Sequence, residues 1–174
     1  MRAAVADGQW WRIATASIVH LSAMHLAMNV AALAAILAAW GRGRLRAGGW
    51  IVLALSLAQW PAAWWLAPGL AWGAGLSGAL HGLVACWATQ DALDGSAPTA
   101  WRRFGGIALA GLALKLGAEA AWPPGDATLP VAAELHWIGA GLGVALAIAT
   151  TLGRSVAGRD PRPVRSGAAP CRRR

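Results

Sequence analysis

Long apolar stretches separated by short polar connections dominate the pattern of this chain. From Ile13 to Gly41 there is no Asp, Glu, Lys or Arg, a run long enough to cross the roughly 30 Å hydrocarbon core of a bilayer. Five spans can be placed in all, at about Leu21 to Trp40, Trp50 to Leu66, Ser77 to Thr89, Phe104 to Ala121 and Val131 to Leu152. The third is short by itself and is expected to continue to Leu93. Each should be a helix, because lipid offers no partner to an exposed backbone amide. A β-barrel would need apolar and polar residues in alternation, and the long Ala/Leu/Gly runs show none. The expected fold is therefore all-α, a polytopic membrane helix bundle.

Composition agrees: 57% of residues are hydrophobic and only 13% charged, with a mean hydropathy of +0.49, far from an ordinary soluble domain. The net charge of +8 would suit a nucleic-acid partner, but the basic residues lie in short loops and a tail, as membrane topology demands. No nucleic-acid partner is expected. Residues 1–153 read as one membrane domain, and 154–174, rich in Arg, Pro and Gly, as a basic disordered tail that can touch anionic lipid headgroups. Met1 to Trp11 lacks the apolar core of a cleavable signal peptide. Cys86 falls mid-span and Cys171 in the tail, so no disulfide is expected.

Charge also orients the spans. Arg42, Arg44 and Arg46 follow the first span, Arg102 and Arg103 precede the fourth, and Arg154, Arg159, Arg162, Arg165 and Arg172 to Arg174 follow the fifth. The connections 67–76 and 122–130 contain no Lys or Arg. The positive-inside rule makes the first group cytoplasmic and the second outward-facing. Trp60, Trp64, Trp65, Trp72 and Trp122 then lie near the outer interface, and Trp40, Trp50 and Trp101 near the inner one, as an aromatic belt. Five spans ending inside require an N-terminus that starts outside, although nothing in Met1 to Trp11 would obviously carry it across. Reversed insertion is one alternative. The simpler expectation is a further helix before Met1.

This orientation brings polar residues from three spans to one depth. His20, His25 and Asn29 lie in the outer half of the first span, Ser77 opens the third, and His136 sits a few residues into the fifth. With a rise of about 1.5 Å per residue they fall within about two turns of one another. Polar groups in hydrocarbon are costly and face a cavity or each other, so their convergence is the informative point.

Each residue also has a purely structural reading. Ser77 could bond back to a carbonyl one turn earlier. Gly78 with Gly82, and Gly139 with Gly143, form small-xxx-small pairs that let helices pack closely. Such packing would also bring Ser77 within reach of His136. His25 and Asn29, four residues apart, share a face and could bond a neighbouring helix. A zinc site is a weak reading, since there is no HExxH pair and the cysteines are far apart; neither a metal nor a cofactor is expected.

As chemistry, the set describes a serine hydrolase. Ser77 would attack a peptide carbonyl, and His136 would take its proton and return it to the leaving amine. Backbone amides at the start of the third span, with side-chain donors from His25 and Asn29, would hold the oxyanion. No carboxylate is obviously placed to orient His136; Glu134 is two residues away on a different face. A Ser–His dyad is the economical arrangement.

The same residues resemble the rhomboid intramembrane serine proteases along nearly the whole chain. Trp11-Arg12 with Thr15, then His20, His25 and Asn29, is similar to the rhomboid tract from the first outer loop into the second core helix. Gly75-Leu76-Ser77-Gly78 resembles the GxSG nucleophile motif, and His136 with Gly139 and Gly143 resembles the histidine and glycines of the sixth core helix. The resemblance implies Ser77 and His136 as the dyad, His25 and Asn29 as oxyanion support, and Gly75, Gly78 and Gly139 as supporting glycines. The first core helix has no counterpart here, and Leu135 replaces the small residue common before the histidine. GxSGxxHG, with His81 one turn below Ser77, is similar to the rhombosortase branch, as is the compact size. Lys115 and Glu119, four apart on one face of the fourth span, are also suggestive and could neutralise each other.

That branch implies a bacterial inner-membrane enzyme with its site toward the periplasm. Its implied substrates are membrane-anchored secreted proteins that end in Gly-Gly, an apolar helix and a basic cluster. The competing expectation is an inactive rhomboid-like protein that binds transmembrane segments. A small transporter would more naturally show dispersed membrane charges or an inverted repeat, and neither is evident.

Overall fold

The structure, a computed structural model, describes residues 2–122 and 132–157. Two short helices, α1 (Arg2–Ala6) and α2 (Trp11–Thr15), precede five long ones. These are α3 (Ala23–Trp40), α4 (Leu45–Leu66), α5 (Ser77–Leu93), α6 (Thr99–Ala121) and α7 (Ala133–Ala157). No strand occurs among the described residues. The five long helices overlie the five expected spans, and α5 does continue to Leu93. The two short N-terminal helices were not foreseen, and α7 runs past 153 to Ala157; the tail beyond it lies outside the described residues.

Ala23–Trp40, Thr99–Ala121 and Ala133–Gly153 are each long and apolar enough to cross a membrane by themselves. Of the other two, α5 has only 17 residues, and α4 carries Ser56, Gln59, Pro61 and several tryptophans. α5 lies at the centre, packed on α4, α6 and above all α7. Only 6% of the α3 stretch is buried within the protein, and large apolar residues such as Met24, Val30, Ile107 and Leu114 point outward from α3 and α6. Water would not tolerate so much contiguous apolar surface, whereas lipid does. This is an integral membrane protein.

Glycine sets the tightest contact in the bundle. A Cβ on Gly82 would lie 2.6 Å from the Gly139 carbonyl oxygen, and one on Gly78 would lie 2.8 Å from the Leu135 carbonyl oxygen. Reciprocally, Cβ atoms on Gly139 and Gly143 would overlap the carbonyls of Gly78 and Gly82. α5 and α7 thus meet backbone to backbone, the packing that small-xxx-small pairs allow. The consequence is that residues at the first turns of both helices are brought within hydrogen-bonding range.

Polar anchors fix the two ends. At the arginine-rich end, buried Asp91 of α5 accepts from the Trp40 indole at 2.8 Å and from Arg44 at 2.5 Å. This ties the α3–α4 turn to α5. Asp91→Ala leaves both donors without their acceptor and is expected to lower bundle stability by about 2 kcal/mol, read as a drop in melting temperature in detergent; an unchanged melt would show that the pairing carries no stability. At the opposite end the Arg2 guanidinium donates to the carbonyls of Ala63, Trp64, Ala67 and Leu70. The Ala63 and Ala67 oxygens also accept from the Ala67 and Leu70 amides, and the cation closes the C-terminal end of α4, where the helix dipole favours positive charge. The N-terminal segment is thereby held at the end of the bundle where Ser77 lies.

Candidate active site

Ser77 is the first residue of α5, and the turn before it explains its position. Gly75 adopts φ +103°, a conformation other residues rarely take, and its amide donates to the Ala16 carbonyl at 3.0 Å. A Cβ there would also lie 2.6 Å from the His25 ring. The glycine therefore serves twice, in turning the chain and in leaving room for the histidine. Leu76 gives α5 no side-chain cap, so the first amides of the helix, around Ser77, lack intrahelical partners.

His136 lies in the first turn of α7 and is 6% exposed. Its Nε2 is 2.8 Å from Ser77 Oγ. Its Nδ1 is 3.0 Å from Glu119 Oε2 in α6, and the other oxygen of Glu119 accepts from Lys115 Nζ at 2.6 Å. A carboxylate held by a lysine has only lone pairs to offer. The hydrogen of the neutral imidazole then belongs on Nδ1, leaving Nε2 free to accept the serine hydroxyl. This corrects the expectation that no carboxylate orients His136: Glu134 does point away, exposed, but Glu119 reaches the ring from another helix. The signal in the sequence is the charged pair Lys115 and Glu119 in an apolar span, whose spacing accounts for their bond to each other but not for the contact with His136.

His81 lies one turn into α5. Its Nδ1 is 2.6 Å from the Ser77 carbonyl oxygen, and its ring stacks on His136 with centroids 4.1 Å apart and planes 15° apart. His81, Glu119 and His136 also bring three potential metal-ligand atoms within 4.8 Å of one another, which the sequence reading did not foresee. Near-parallel stacked imidazoles point their in-plane lone pairs alongside each other rather than toward one ion. Both nitrogens of His136 are already engaged as well. The grouping suits proton handling better than a metal.

His25 and Asn29 line the same cavity as Ser77, His81 and His136, a space of about 320 Å³ walled by Leu21, Met28, Leu80 and Leu135. Asn29 is buried, and its amide nitrogen donates to the His25 carbonyl at 3.0 Å; its second hydrogen remains available. His20 packs edge-on against His25 at 5.1 Å and stands behind it. Leu135, despite its bulk, is accommodated: its side chain packs beside Trp60 and Ala16 and fills the space that Gly73 leaves open. Two polar residues the sequence reading passed over stiffen the surroundings, with Gln59 of α4 donating to Ser17 at 2.7 Å in the interior.

The family model described as Rhomboid domain matches residues 7–153 of this chain. The chain belongs to the rhomboid family. No curated protein and no solved structure matches it. Rhomboids are intramembrane serine proteases together with inactive relatives, and the family acts on transmembrane substrates. This rhomboid holds a serine and a histidine in direct hydrogen-bond contact at a cavity within its helix bundle.

Proposed function

We propose that this rhomboid is an active serine endopeptidase with Ser77 as nucleophile and His136 as general base and acid. The hydrogen bond of 2.8 Å between Ser77 Oγ and His136 Nε2, beside a cavity of about 320 Å³, is the observation that carries this reading. Nε2 takes the hydroxyl proton as Oγ attacks the carbonyl carbon, and the C=O π pair moves onto oxygen. The resulting oxyanion is received by the first amides of α5, with the side chains of His25 and Asn29 as further donors. When the tetrahedral centre collapses, the C–N bond breaks and His136 returns the proton to the departing amine. Water, deprotonated at the same nitrogen, then releases the acyl group from Ser77.

The substrates we propose are membrane-anchored secreted proteins ending in Gly-Gly, an apolar helix and a basic cluster. His81 in the GxSGxxHG pattern supports the rhombosortase branch. Chemistry supports it too: a glycine pair loosens the helix before the anchor and lets an unencumbered backbone approach Ser77. The rhombosortase resemblance supports a bacterial inner membrane, and the arginine distribution supports a site on the face away from the cytoplasm, here the periplasm.

A fluorophosphonate probe tests the reading. The wild-type protein in lipid is expected to be labelled and Ser77→Ala not, and a reporter with a Gly-Gly tail is expected to be cleaved at a site lost when both glycines become valine. Absence of labelling and cleavage in the wild type would point to an inactive relative that binds transmembrane segments. Labelling together with cleavage indifferent to the glycines would keep the protease and remove the sorting-tail substrate.

A further inference from the structure

Two charged side chains stand beside Ser77 and His136 on α6, a helix with no other charged residue after Arg102 and Arg103 near its start. Ionised groups inside a membrane are costly and mark function when they face a cavity. Lys115 and Glu119 lie four residues apart on one face of α6 and both line the cavity, while Leu114 and Ile107 of the same helix face outward. If mutual neutralisation were their whole role, a bond between them would suffice. Instead Glu119 divides its oxygens, Oε1 to Lys115 at 2.6 Å and Oε2 to His136 Nδ1 at 3.0 Å.

We propose that Glu119 is the positioning residue for His136 and Lys115 the group that keeps Glu119 ionised, so that Ser77, His136, Glu119 and Lys115 form one relay. The inference rests on the reading of Ser77 and His136 as nucleophile and base. Glu119 fixes the hydrogen on Nδ1, which leaves Nε2 as the acceptor facing Ser77. It also lies against the positive charge that the ring gains when Nε2 takes the serine proton. The Nδ1 hydrogen stays on His136 throughout: it donates to the carboxylate and is not transferred. Lys115 supplies a fixed cation on the far oxygen, so the carboxylate need not take up a proton in surroundings of low polarity. The ring of His81, stacked beneath His136, limits the imidazole's rotation, so the bond to Glu119 determines which nitrogen meets the serine.

Two readouts test the relay, one kinetic and one independent of turnover. Glu119→Gln is expected to lower kcat on the order of 10³-fold with KM changed less than about twofold, because the carboxamide no longer dictates the tautomer or balances the imidazolium. Its melting temperature should stay near that of the wild type, and Glu119→Asp should recover part of the rate. Lys115→Met should reduce kcat in the same direction by a smaller factor, with partial recovery in Lys115→Arg. In protein labelled with nitrogen-15 histidine, His136 should show an Nδ1–H proton shifted far downfield, and Glu119→Gln should move or abolish it. An unchanged kcat in Glu119→Gln, or a signal indifferent to that substitution, overturns the proposal. A wild type that does not cleave peptide yet shows the Glu119-dependent signal instead overturns the protease reading and leaves Glu119 as the residue that orients His136.

Discussion

Replacing His136 with alanine is expected to lower the rate of peptide cleavage by on the order of 10⁴- to 10⁶-fold, the loss seen when the base of a serine nucleophile is removed. The cause is local. Without Nε2 at 2.8 Å, the Ser77 hydroxyl has no acceptor for its proton in a cavity walled by Leu21, Met28, Leu80 and Leu135. Substrate affinity should change little, because His136 assists only once bond making begins. Combining Ser77→Ala with His136→Ala should cost about as much as either alone, since the two groups act as a unit. The measurement is single-turnover cleavage in proteoliposomes, with the melting temperature followed alongside. A His136→Ala protein that still cleaves within about tenfold of the wild type would remove the histidine from the mechanism.

The second large effect is expected from a glycine that touches no substrate. Gly139→Val places a branched side chain where the Gly78 carbonyl already lies. Neither backbone can yield without moving a whole helix, so α5 and α7 must separate at the level of the site. A shift of about 1 Å is enough to cost roughly 10²-fold in rate by breaking the geometry between nucleophile and base, and the overpacking itself should cost about 2–3 kcal/mol of stability. Gly141→Val is the matching control: it lies two residues away on the same helix, where an added Cβ meets nothing within 4 Å. That variant should keep its activity and stay within about 0.5 kcal/mol in stability. Equal behaviour of the two variants would mean that close packing of α5 on α7 does not build the site.

Both experiments probe one design in which packing and chemistry share the same residues. Gly78 neighbours Ser77, and Gly139 lies one turn beyond His136. The glycines bring the two helices together, and that approach sets the reacting groups in contact. Gly75 does the same for the other wall, where its positive φ and missing side chain let His25 of α3 sit against the turn that precedes Ser77. α3 buries few of its residues, and the contact at Gly75, the packing of Ile36 and Trp40 on Leu80, Leu83 and Trp87, and the bond from Trp40 to Asp91 register it against the centre of the bundle.

What the sequence determined by itself was the medium, the elements and the level at which polar groups gather. Hydropathy is a local property summed along the chain, so uncharged runs such as Ile13 to Gly41 specify helices in lipid whatever they pack against. Ser77, His136, His25 and Asn29 could be assigned to one layer because depth along a helix follows from residue count. Tertiary structure alone decided which side chains meet across helices. Glu119 lies in a different span from His136, and its rotational setting about α6 depends on how that helix packs on α5, which no periodicity within α6 encodes. The same holds for the stack of His81 on His136 and for Arg2 closing the end of α4, where a residue near the N-terminus meets carbonyls more than sixty positions away. Rise per residue is fixed by the hydrogen bonds within each helix, while azimuth and distance are fixed only by the fit of one helix against another.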